Sequence, residues 1–234
     1  MHDSAIGRLI GVLVSPGKTF QSIAARPTWL VPLLALALIT ASMALIAGQR
    51  TDYREAARMA MERGGQTVDE EKLDQQVEIM EKFGPISGAV AGFVFLPIVC
   101  AVIALLLWIA FKVIGSDMDY KTSLSVYLYA AVPTLIMMLL SIPVILSRET
   151  ITAEDAQTGS YLASNLAAFA SDEASATMRA LLASVDVFAI WGLILMVIGY
   201  RIAARVSTTA AVVTALIIFL LGVGFRVGMV ALFS

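Results

Sequence analysis

FGPISGAVAGFVFLPIVCAVIALLLWIAF, residues 83–111, is the stretch on which the fold turns. It runs 29 residues without a charge, between Lys82 and Lys112. A helix rises about 1.5 Å per residue and a hydrocarbon core is about 30 Å thick, so roughly 20 apolar residues cross it. The stretch therefore predicts a membrane span near 86–111.

Working outward, other charge-free runs repeat the signal. Arg26 and Arg50 bound 23 uncharged residues, giving a span near 28–48. Lys121 and Arg148 bound 26, giving 123–146, and Arg205 and Arg226 bound 20, giving 206–228. Between Arg179 and Arg201 the run of 21 is interrupted only by Asp186. One acid is tolerated where it faces protein or water, so 180–200 reads as a further span. The expectation is an all-α polytopic membrane bundle of five helices, forming a single membrane domain over 1–234.

Composition agrees. Of the 234 residues, 59% are apolar and 15% charged, which excludes a soluble cytosolic enzyme and a disordered chain. Cys100 is the single cysteine and His2 the single histidine, so neither a disulfide framework, a His/Cys zinc site nor an internal Ser-His pair can be built. A net charge of −2 argues against a nucleic-acid partner. No catalytic residue, cofactor or metal is expected. The first span has a long charged lead-in and lacks a small-x-small cleavage site, so it reads as uncut.

Loop charge sets the orientation. Segments 1–27, 112–121 and 201–205 hold seven Lys/Arg in 42 residues, against eight in 67 for loops 49–83 and 148–179. The denser, shorter set is read as cytoplasmic. The N-terminus then lies inside and the C-terminus outside, in a bacterial inner membrane.

The flanking segments carry their own patterns. Ile6, Leu9, Ile10 and Leu13 share one helical face, with Arg8 elsewhere, as in a helix lying in the membrane interface. Ser15-Pro16 restarts a helix with Ser as N-cap, carrying Phe20 and Ile23 to Arg26-Pro27. These interfacial helices serve either as a juxtamembrane anchor or as a partner-docking face. In the first outer loop a helix over 52–63 ends at Gly64-Gly65. A capping box at Thr67–Glu70 starts a second helix, 68–82, with Leu73, Val77 and Met80 as its apolar stripe. Its mixed charges read as a solvated hairpin rather than a cation site. In the second loop Thr152 caps a short helix, and Tyr161, Leu162, Leu166 and Phe169 fit an amphipathic helix or a loosely packed lid.

Several positions within the spans are candidates for function or packing. Gly84, Gly88 and Gly92, and later Gly224 and Gly228, recur every four residues, the spacing of close helix packing within the chain or of a self-association seam. Tyr120, Tyr127, Thr134 and Ser141 recur every seven along the third span, with Ser123 nearby and Pro133 and Pro143 interrupting the backbone ladder. Such a face either lines a wet path or bonds neighbouring helices. Asp186 is the one acid within a span, open to a proton or cation role, an ion pair with Arg226, or an N-cap.

Three segments in order carry a resemblance: Ser15–Phe20 running to Arg26-Pro27-Thr28-Trp29; Gly115-Ser116 with Tyr120–Ser123, Tyr127–Ala130 and Pro133; and Asp186–Trp191. Together they resemble the bacterial branch of the Yip family, the Ypt-interacting proteins. The resemblance covers most of the chain and implies a five-span helical bundle with a cytoplasmic N-terminus. It also marks Tyr127–Pro133 and Asp186–Trp191 as positions that matter. Eukaryotic relatives are linked to trafficking and to Rab-type GTPases. The long cytosolic N-terminal region of those relatives is absent here, so GTPase binding does not carry over. The expected role is a non-enzymatic scaffold or adaptor. Its partners are the bilayer and either an unidentified membrane protein or a second copy. A small transporter or channel using Asp186 and the polar face of the third span is the alternative.

Overall fold

The computed structural model describes residues 4–65, 68–152, 155, 161–171 and 173–233. The helices are α1 (Ala5–Val14), α2 (Pro16–Ala25), α3 (Leu30–Gly48), α4 (Tyr53–Arg63), α5 (Glu70–Val113), α6 (Tyr120–Ala130), α7 (Val132–Ser147), α8 (Ala176–Ala183), α9 (Val187–Ala203) and α10 (Thr208–Phe233). A 3₁₀ turn covers Leu166–Phe169. The only β pairings among the described residues are isolated bridges, Thr51 with Ile151 and Asn165 with Asp186. The protein is an all-α membrane helical bundle. Among the described residues, four stretches are long and apolar enough to cross a bilayer: Leu30–Gly48, Glu70–Val113, Tyr120–Ser147 and Thr208–Leu232.

The elements follow from local chemistry. Ser4 caps α1, Asp52 caps α4, Asp119 caps α6, Ser175 caps α8 and Asp186 caps α9, each side-chain oxygen accepting an otherwise unsatisfied first-turn N–H. Helix α4 ends at Gly64, followed by Gly65 at φ +66°, a backbone that glycine adopts without strain.

The structure corrects four expected boundaries. The outer-loop helix 68–82 and the span 86–111 are one helix of 44 residues. Pro85 does not end it, because the Pro85 ring packs against Gly48 and Gly84 against the Tyr53 phenol, which holds the segment helical. At its start the Asp69 carboxylate accepts the Glu71 N–H; the expected capping box rests on Thr67, which lies outside the described residues. The expected span 123–146 falls within one stretch long and apolar enough to cross, Tyr120–Ser147, but that stretch is two helices, α6 and α7, with a break at Ala131. Pro133 lacks an N–H and would clash with the carbonyl four residues back, so the helix gives way just ahead of it. Pro143, in contrast, rides inside α7. The expected span 180–200 is α8 and α9, with the chain turning at 184–186. The expected amphipathic helix over Tyr161–Phe169 does not form. Leu166 N–H bonds to Val185 O at 3.2 Å and Val187 N–H to Ser164 O at 3.1 Å, so this backbone pairs with the 185–187 turn. Ser15 stands at the N-cap of α2 without a side-chain cap bond.

The chain forms two compact units. One comprises residues 37–95 and 138–162. Here Ala57, Met61 and Leu73 join α4 to α5 with Val68, Val77 and Met80 around them. Ala47, Ile145, Ile151 and Tyr161 form a second cluster. A Cβ built on Gly84 would lie 2.6 Å from the Tyr53 hydroxyl, one on Gly88 3.7 Å from the Ala44 Cβ and one on Gly92 3.0 Å from the Thr40 methyl, so this glycine row packs against residues of the same chain. On its water-facing side Arg54 pairs with Glu70 and Asp74, each at 2.6 Å.

The other unit comprises residues 1–36, 96–137 and 163–234. Val12, Phe20, Ile23, Leu107, Phe111, Val126, Leu128, Tyr129, Tyr200 and Ala215 are among its fully buried residues. Burying each aliphatic or aromatic side chain contributes roughly 1.5–3 kcal/mol relative to exposure in water. Helices α1 and α2 thus belong to the core of this unit. Gly224 and Gly228 face open space, with nothing within 4 Å of a Cβ built on either, so they form no seam within the chain.

Candidate functional site

The candidate site lies in the second of these units, where α1, α2, α5, α6 and α9 bring hydroxyl groups together. Helix α6 is the centre. A phenol or hydroxyl in an apolar bundle must find an acceptor, since no water is at hand to replace it. Tyr120 donates to Ala101 O at 3.0 Å, and Ser123 donates to Ala104 O at 2.8 Å. Tyr200, entering from α9, donates to Ser123 O at 2.8 Å, and the two side-chain oxygens lie 3.0 Å apart. The Tyr200 ring stacks on Phe111 with centroids 4.9 Å apart. Helices α5, α6 and α9 are thereby tied at one level.

A second cluster ties the N-terminal helices to α6. Arg8 is 2% exposed, and its Nη1 donates to Arg26 O at 2.7 Å and to Thr28 Oγ1 at 3.0 Å. Arg26 is the C-cap of α2, so the Arg8 guanidinium sits at the negative end of that helix. Thr28 Oγ1 is 3.0 Å from the Tyr129 hydroxyl, which donates to Ala5 O at 3.3 Å. A consistent proton arrangement has Thr28 donating to Tyr129 and Tyr129 to Ala5. Close packing accompanies the cluster: a Cβ at Gly199 would lie 2.6 Å from Val126 Cγ1 and 2.8 Å from Phe20 Cε1, so only glycine admits α2 this near to α9.

Asp186 stands apart from both clusters. It is 6% exposed and caps α9: Oδ1 accepts from Phe188 N at 2.7 Å and from Ala189 N at 3.2 Å, while Oδ2 accepts a hydrogen bond from the Ser164 hydroxyl. Arg226, on α10, is not among its hydrogen-bond partners. The geometry is that of a cap which also fastens the 161–171 segment to the start of α9. Among the described residues, no group of three or more His, Cys, Asp or Glu side chains is placed to hold a metal ion.

The sequence-derived positions therefore separate. Tyr120 joins the α5–α6–α9 cluster through its own bond. Tyr127 and Thr134 are half-buried, and Ser141 and Pro133 are buried. Trp191 is half-buried on α9. Sequence reasoning missed Arg8, Ser164, Gly199 and Tyr200 as structural centres, and reached Thr28 and Tyr129 only as members of the segments that carry the resemblance. Tyr200 carried a readable signal, a phenol near the end of an otherwise apolar helix. Arg8 carried the opposite one, because its place off the apolar face of α1 reads as solvent contact.

A family profile described as the Yip1 domain matches residues 10–229. The chain belongs to the Yip1 family. The match runs nearly the whole length and takes in both compact units. Among curated proteins, the chain is similar to "Membrane protein YknW" of Bacillus subtilis (strain 168), 26% identical over 211 residues, or 90% of this chain and 84% of that protein. No solved structure matches. Of the three segments that carry the resemblance, Ser15–Trp29 lies on and just after α2 and supplies Arg26 O and Thr28 to the buried cluster. Tyr120–Pro133 is α6 and its break, and Asp186–Trp191 is the capped start of α9. In these three segments the helices of this unit are fastened to one another.

Proposed function

We propose that this chain is a non-enzymatic scaffold or adaptor of the bacterial inner membrane, acting on a membrane protein partner or on a second copy of itself. The observation that carries the reading is the state of Asp186. Its two carboxylate oxygens are occupied by two backbone amides and a serine hydroxyl at a helix start. A carboxylate so engaged serves the fold rather than a proton or cation path. Ser123, Tyr120 and Tyr200 likewise bond to backbone carbonyls of neighbouring helices, which favours packing over a wet channel. Exposed surfaces open to a partner include the outer sides of α4 and α10.

The test is photo-crosslinking of the full-length protein in its native membrane, with probes at Arg58 on α4 and Gly224 on α10. An adaptor gives one dominant adduct, a partner or a second copy, that disappears when the neighbouring surface is recharged. Flux into liposomes that vanishes with Asp186→Asn would overturn the reading in favour of a transporter.

We further propose five spans in one membrane domain, with the N-terminus cytoplasmic and the C-terminus outside. Helix α9 has 17 residues, about 25 Å of rise, just short of a typical hydrocarbon core of about 30 Å. Helix α8 and the 184–186 turn make up the remainder. Reporter fusions at the two ends decide it: opposite sides require an odd number of spans, and the same side would remove α9 from the count.

A further inference from the structure

Helix α1 presents a face that the adaptor reading does not use. It turns Arg8 and Val12 into the core and Ile6, Ile10 and Val14 outward, these three being 68%, 63% and 78% exposed. Four residues apart, they form a single apolar stripe. Core packing of Phe20 and the Arg8 cluster fixes α1 and α2 on the bundle, so the stripe is held outward by the fold and is not a fraying end.

The same end of this unit is rich in cations. The Phe111–Tyr200 stack, the Ser123–Tyr200 pair and the seat of Phe20 on Gly199 bring together the end of α5, the start of α6, the end of α9 and the middle of α2. Those elements carry Lys112, Lys121, Arg201, Arg205 and Lys18, all exposed. The exposed acids there are Asp117 and Asp119, and the Asp119 carboxylate already accepts the Thr122 N–H at 2.7 Å. Val113 and Ile114, next to Lys112, add a second exposed apolar tip.

An aliphatic stripe with cations at the same end of the unit suits a surface that offers hydrocarbon and phosphate side by side. We propose that this end of the molecule docks on anionic phospholipid, with Ile6, Ile10 and Val14 at the acyl boundary and Lys18, Lys121, Arg201 and Arg205 against headgroup phosphates. Neither attraction suffices alone, since three aliphatic side chains bury little area and surface cations are screened within a Debye length.

The test uses the full chain with Cys100→Ala and Ile10→Cys, labelled with an environment-sensitive fluorophore. It is reconstituted in phosphatidylcholine vesicles with or without phosphatidylglycerol. The label should become protected from an aqueous quencher when phosphatidylglycerol is present, and added salt should reverse this. Lys18→Gln, Lys121→Gln and Arg205→Gln together should abolish the response, with retained phosphatidylglycerol falling roughly fivefold per cation removed. The Lys18→Arg, Lys121→Arg, Arg205→Lys protein should keep it. The proposal is overturned if protection is equal in both vesicles, if the glutamine variant melts like the wild type and still responds, or if inorganic phosphate displaces the lipid. Should the glutamine variant not fold, the salt reversal of the parent protein decides alone.

Discussion

Ser123 on α6 and Arg54 on α4 are both hydrogen-bonded, yet their surroundings differ in kind. Ser123 is fully buried, bonded to Ala104 O and beside Tyr200. Arg54 holds two carboxylates at 2.6 Å with half its side chain in water. By distance alone the Arg54 contacts are the stronger. Solvent reverses the order. A buried donor that loses its partner forfeits the full desolvation cost, whereas an exposed ion pair exchanges protein contacts for water at nearly equal free energy. The unit holding α6 should therefore be sensitive to polar substitutions, and the α4–α5 hairpin indifferent to them.

The largest effect is expected at Arg8. Arg8→Leu leaves Arg26 O and Thr28 without their charged donor and detaches the N-terminal helices from Tyr129. A destabilisation of about 3 kcal/mol is expected, read as a fall in the melting temperature of the purified protein. For the same reason deletion of residues 1–26 would remove core and not merely an appendage. Arg8→Leu melting with the wild type would erase the contrast drawn above. Next comes Gly199→Ala, which drives a methyl into Val126 and Phe20 at a cost of about 1–3 kcal/mol. Its control is Gly224→Ala, where a methyl meets nothing. Equal melting of both variants would mean that the α2–α9 contact is slack.

The glycine pair also shows what the sequence could and could not tell. Charge-free runs located the long helices, because a bilayer imposes a length that composition reveals. They did not reveal where a helix is interrupted. The turn ahead of α9 and the fusion of 68–82 with 86–111 depend on contacts made by residues distant in sequence, Ser164 on Asp186 in the first case and Gly48 on Pro85 in the second. Likewise, Gly84, Gly88 and Gly92 have the same spacing as Gly224 and Gly228. Only the fold places the first row against α3 and α4 and leaves the second open. Tyr120 and Ser123 could be read from the sequence as facing the bundle, but their acceptors could not, since these are main-chain carbonyls and carry no residue signature.

A smaller effect tests the capped start of α6, at the edge of the buried cluster. Hydrogen bonds from Thr122 hold the Asp119 carboxyl below its ordinary range. Because the folded-state value is depressed, the stabilisation is complete above the ordinary carboxylate range and is lost as pH falls through the folded value. Melting temperatures measured from neutral to about pH 3 should therefore fall more steeply for the wild type than for Asp119→Asn, which keeps a cap acceptor but cannot titrate. Parallel curves would mean that the cap is indifferent to charge.

The smallest effect belongs to Arg54. Its partners raise its pKa further above an already permanent charge, and the hydrogen bond it donates to Asp74 is the leading cause. A guanidinium is protonated at every pH of interest, so that shift has no consequence for stability. What holds α4 to α5 is the apolar contact of Ala57 and Met61 with Leu73, all three buried. Arg54→Ala should leave the melting temperature unchanged within error, at low and at high salt alike, while Leu73→Ala should lower it by the equivalent of about 2–5 kcal/mol. A salt-sensitive loss in Arg54→Ala would show that the pairs act as a network, and would narrow the gap between the two regions from the hairpin side.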